Sequence, residues 1–162
     1  KEEMMRIGRR YGMGLQRLNI LRDAGADLAA GRCYWPAETL ANVGLTPEKL
    51  ANAANTGCTE TWQTLAPLYT QWLDHTQAQL ADGMRYAMAL KPLRLRLASA
   101  LPALIGARTL AMLRQIGPLA MTQHVKMPRH EMHQLMWQIV LGLGSAASLE
   151  RLFQKLSTAS SD

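Results

Sequence analysis

Four polar side chains define the chemistry this chain could support: Gln16, Asn19, Asp23 and Asp27. At about 100° per residue they fall on one narrow face of a helix, opposite Leu15, Leu18, Leu21 and Leu28. Like charges four residues apart repel on a helix surface by roughly 0.2–0.5 kcal/mol. No lysine or arginine stands four residues from either aspartate, and the adjacent Arg22 projects about 100° away. A divalent cation resolves the conflict. Mg²⁺ accepts one or two carboxylates, keeps several waters and bridges to phosphate oxygens, so the aspartates could hold it against a diphosphate while the amides hydrogen-bond alongside.

Other constellations carry less. His130 and His133 could share a helix face, but "HEMH" is not HExxH and lacks a third ligand at sound spacing, so surface histidines are expected. "KPLRLRL" (Lys91 to Leu97) could be an anion patch, although its alternation is better read as two arginines snorkelling beside a buried face. Trp62, Trp72 and Trp137 have apolar helical spacing and are expected in the core. Cys33 and Cys58 form no CxxC pair, which argues against a disulfide framework and fits a reducing cytoplasmic compartment.

The elements that must position the stripe are helical. Apolar residues recur at helical spacing almost throughout, and no segment sustains period-two alternation. With 162 residues, 48% apolar and only 6% aromatic, the composition suits one all-α domain, or part of one, packed by Leu, Ala and Met. Helices are expected from Glu3 to Ala29, from Glu38 to Asn42, and from Thr46-Pro47-Glu48 to about Asn55. Thr59 would cap a long helix from Glu60 to Leu90, and Pro92 would open another from Leu93 to Ile116. Pro67 and Pro102 would bend these two. Pro128 would start a helix running to about Leu143, and the tail from Ser145 carries the amphipathic "SLERLFQKL" before a frayed end. Residues 1–144 thus read as one helical unit and 145–162 as a tail that caps the bundle or rests on a membrane. No run of 18 apolar residues suggests a membrane span. The net charge of +6 permits an anionic partner, which includes a membrane surface.

"GLQRLNILRDAGADLAAGRCYWP" (Gly14 to Pro36) resembles the second aspartate-rich motif of the squalene and phytoene synthase family, all-α isoprenoid synthases that join two prenyl diphosphates head to head. The resemblance implies that Asp23 and Asp27 bind Mg²⁺, that Gln16 and Asn19 line the diphosphate site, and that Arg22 adds positive charge to it. "SALPALIGARTLAML" (Ser99 to Leu113) is similar to the family's tunnel-lining helix, with Leu110 where the phytoene branch usually has tyrosine. "HVKMPRHE" (His124 to Glu131) resembles the basic segment that holds phosphates in squalene synthases, which implies NADPH contacts from Lys126 and Arg129. Trp35-Pro36 also resembles the squalene version of the loop.

The implied function is Mg²⁺-dependent condensation of two farnesyl diphosphates, followed by NADPH reduction to squalene. The alternatives are phytoene- or dehydrosqualene-type condensation, and a non-catalytic helical module that binds anionic lipid or a partner protein. No nucleic-acid partner is expected. The family's first aspartate-rich motif is not found in these residues, and the helical pattern is already under way at Met4. The chain therefore reads as the C-terminal part of such an enzyme, one wall of the active site, expected not to turn over without the N-terminal half. The implied location is cytoplasmic, with peripheral membrane contact permitted.

Overall fold

The computed structural model describes residues 1–141 and 145–158. Among them there is no strand, and the fold is all-α as the periodicity requires. The helices are α1 (Glu2–Ala29), α2 (Ala37–Ala41), α3 (Pro47–Thr56), α4 (Thr59–Ala89), α5 (Leu93–Ile116), α6 (Arg129–Leu141) and α7 (Ala146–Thr158). A 3-10 helix over Gly117–Thr122, not foreseen from the sequence, follows α5 where Gly117 adopts φ +68 and Pro118 forbids further α-helix.

Helix α1 forms because its apolar positions recur every three to four residues. It buries Ile7, Tyr11, Leu18, Leu21, Ala24 and Leu28, and leaves Gln16 and Asn19 to solvent. It packs chiefly on α4, and α4 in turn on α5. The α1–α4 seam is tight enough to demand glycine: a Cβ at Gly83 would run into the Tyr11 ring. Tyr11 donates its hydroxyl proton to the Ser99 carbonyl at 2.8 Å, which ties α1 to α5. Burial pushes that phenol up to about 12. Asp82, 1% exposed, is gripped by Arg10 at 2.5 Å and by Arg85.

Local signals behave as their chemistry dictates. The Thr46 hydroxyl accepts from Lys49 N–H at 3.3 Å, with Pro47 in the first turn, and Gly57 closes α3 at φ +71. At α4 the N-cap is Cys58 rather than Thr59, which is itself the first helical residue. Both α4 and α5 continue through their internal prolines.

Two expectations are corrected. Trp137 is 66% exposed, because α6 turns Leu135 and Ile139 inward, a full turn apart, and Trp137 lies midway between them on the opposite side. Leu93 and Leu95 are 48% and 55% exposed, so the start of α5 does not bury its leucines. Within Leu93–Thr122 one 18-residue window reaches a mean hydropathy of 1.2, enough by length and composition to cross a bilayer, and half of that window is buried inside the bundle as a core helix would be.

The tail helix α7 packs on α5 through Leu149 and Phe153, 1% and 2% exposed. The expected end of α6 at Leu143 and the last tail residues lie outside the described residues.

Candidate active site

The polar stripe of α1 lines a shallow open groove together with Ile20 and Tyr34. Gln16, Asn19, Asp23 and Asp27 are therefore brought together on one wall. The far rim is the loop after α1. Gly31, at φ +72, turns the chain back so that the Arg32 N–H donates to the Asp27 carbonyl at 2.7 Å. Trp35 anchors this loop by stacking on Trp72, ring centroids 4.2 Å apart, and more loosely on Tyr69. Arg17 covers the other end of the stack, 5.3 Å over the Trp72 ring, and burial lowers its pKa. With its neighbour so fixed, Tyr34 hangs over the groove. It is 55% exposed and was not singled out as a site residue from the sequence.

The aspartates are not unrelieved. Arg22 forks onto Asp23, donating at 2.8 and 2.7 Å to its two oxygens, and holds that carboxyl below the usual range. Arg22 projects away at its Cα, but the long side chain folds back. Arg32 donates Nε and Nη2 to the single oxygen Oδ1 of Asp27, at 3.3 and 3.1 Å. That pairing spans five residues across the helix end, where helical spacing rules give no warning. Asp23 and Asp27 side chains are 36% and 16% exposed.

A second close approach brings basic residues near. A Cβ at Gly25 would lie 2.9 Å from the Gln123 carbonyl oxygen, so glycine lets the Met121–Gln123 backbone touch α1. His124 follows directly on that contact, and its charge contributes in small part to the lowering of the Asp23 carboxyl, behind the hydrogen bonds from Arg22. Lys126 and Arg129 are exposed on the same segment and do not line the groove. Leu110 is 1% exposed in the core and does not line it either.

The donor set fits a hard cation held mainly by water and substrate oxygens. Among the described residues no three His, Cys, Asp or Glu side chains converge, and the carboxylates that line the groove are Asp23 and Asp27. Mg²⁺ needs no more than one or two when phosphate supplies the remaining oxygens.

A family model described as squalene/phytoene synthase matches residues 1–131. Over 44 residues the chain is 52% identical to a 15-cis-phytoene synthase of Enterobacter agglomerans, covering 27% of this chain and 15% of that protein. It is 50% identical over 44 residues to a phytoene synthase of Pseudescherichia vulneris, again 27% of this chain and 14% of the relative. These alignments thus span about a seventh of the relatives' own length. By the match across most of its length and by its all-α architecture, the chain belongs to the squalene/phytoene synthase family.

Proposed function

We infer that the chain forms the diphosphate-binding wall of a head-to-head prenyltransferase. The single observation that carries this reading is the convergence of Gln16, Asn19, Asp23 and Asp27 on one groove. Asp23 and Asp27 would hold Mg²⁺, which stabilises the negative charge that gathers on a diphosphate as its carbon–oxygen bond breaks. Gln16 and Asn19 would present their amide groups to the diphosphate along the same wall, and Arg22 keeps cationic charge beside Asp23. Ile20 gives the groove an apolar edge, suited to the first carbons of an isoprenoid chain. The opposite wall would come from the N-terminal half of the same protein, and a substrate this apolar is compatible with peripheral membrane contact.

The names of the two relatives favour phytoene-type over squalene-type condensation. One observation keeps the squalene-type reading in view: the segment bearing Lys126 and Arg129 follows directly on the Gln123 contact with α1. Those two cations could hold the phosphates of NADPH, which that reaction needs.

The test is incubation of the full-length protein with Mg²⁺ and either farnesyl or geranylgeranyl diphosphate, with and without NADPH. Product from geranylgeranyl diphosphate without NADPH supports the phytoene-type reading. NADPH-dependent product from farnesyl diphosphate supports the squalene-type one. Absence of any condensation product overturns both.

A further inference from the structure

We propose that Arg32 is a diphosphate-binding residue parked on Asp27, and that a divalent cation arriving at Asp27 releases its guanidinium to the diphosphate. The inference rests on the reading of the groove as a cation–diphosphate site.

The two aspartates of the groove are held differently by their arginines, neither of which lines the groove itself. Arg22 occupies both oxygens of Asp23 in a short fork. Arg32 reaches only Oδ1 of Asp27, at 3.1 and 3.3 Å, and among the described residues Oδ2 accepts no hydrogen bond. Asp27 can thus take a cation on Oδ2 before the arginine leaves.

The exposures say which partner moves. Asp27 is 16% exposed and fixed on the helix, whereas the Arg32 side chain is 58% exposed. Its backbone is held by the N–H bond to the Asp27 carbonyl and by the Trp35–Trp72 stack three residues on. The guanidinium therefore pivots on a fixed base beside Asp27, in the adjoining hollow that Asp27 and Tyr34 share with the groove.

A divalent cation on Asp27 neutralises the carboxylate and repels the guanidinium. The nearest anion is then a diphosphate bound to that same cation, a better match for a planar fork than one carboxylate oxygen. Metal and arginine compete for Asp27 but cooperate on the ligand.

The test uses the full-length protein and its Arg32→Gln and Arg32→Lys variants. Mn²⁺ alone is titrated by electron paramagnetic resonance, and inorganic diphosphate with Mg²⁺ by calorimetry. Arg32→Gln should bind Mn²⁺ alone about two- to fivefold more tightly, the worth of an exposed ion pair it no longer has to break. It should bind diphosphate with Mg²⁺ roughly 10- to 100-fold more weakly, the loss of a charge-assisted contact. Arg32→Lys should fall between wild type and Arg32→Gln on both scales. Opposite shifts support the inference. Parallel weakening of both ligands, or no change in either, overturns it while leaving the site intact. If the wild-type protein binds neither probe, the reading of the groove itself is overturned.

Discussion

Asp82 and Asp27 are both aspartates paired with arginine, and they serve opposite ends. Asp82 lies between α1 and α4, 1% exposed, held by Arg10 from one helix and Arg85 from its own. Its arginines are 46% and 65% exposed, so the carboxylate is buried while the cations reach down to it from solvent. A clamped carboxylate of this kind fixes register and has no oxygen to offer. Asp27 keeps one oxygen without a described partner, and its arginine sits loosely on the other. The same residue pair is a fastener when doubly gripped and a site when half gripped.

The largest effect that could break this contrast is on turnover. Asp23→Ala or Asp27→Ala should lower product formation by the full-length protein about 100-fold or more, since each removes a group acting on developing charge. Melting temperature should fall by no more than a few °C, because each substitution removes one carboxylate paired to a largely exposed arginine. The contrast sharpens at Asp82→Asn. That variant should lose about 1–3 kcal/mol in urea unfolding, and diphosphate affinity should not change. Next in size is Thr46→Ala, which removes the α3 cap and should cost about 1 kcal/mol, again without touching the groove.

Acid supplies a further test. Arg108 donates to Glu131 at 2.6 and 3.0 Å and holds its carboxyl below the ordinary value of 4.5. Because the folded value is depressed, the stability this pair adds is fully present above about pH 4.5 and is lost as pH falls through the lowered value. Thermal melts between pH 3 and 6 should therefore slope less steeply in Glu131→Gln than in wild type. The smallest effect belongs to Glu3→Gln. Its partner Arg6 and Glu3 itself are 59% and 62% exposed, so both stability and binding should be unchanged within error.

Much of the fold was legible because its signals are local. The α1 stripe, the Thr46-Pro47 start and the Pro92 boundary each follow from side chains acting within one turn. What escaped depends on reach or on neighbours. Arg32 finds Asp27 only because Gly31 folds the chain back past the helix end. Arg22 finds Asp23 because a long side chain can bend against the direction its Cα sets. Tyr34 enters the groove because a stack on Trp72, far along the chain, holds Trp35. Trp137 was misplaced because apolar helical spacing was taken for burial, when it is Leu135 and Ile139, with Met132 partly buried beside them, that α6 turns inward. At the groove, four side chains on one helix could be read together, while the loop opposite could not.

The central claim is that the α1 stripe binds diphosphate through a divalent cation. Calorimetric titration of inorganic diphosphate into the full-length protein, with Mg²⁺ or with EDTA, tests it most directly beside the Asp23→Asn/Asp27→Asn double variant. Binding should require Mg²⁺ and vanish in the double variant at unchanged melting temperature. Equal affinity in EDTA, or full affinity in the double variant, would contradict it.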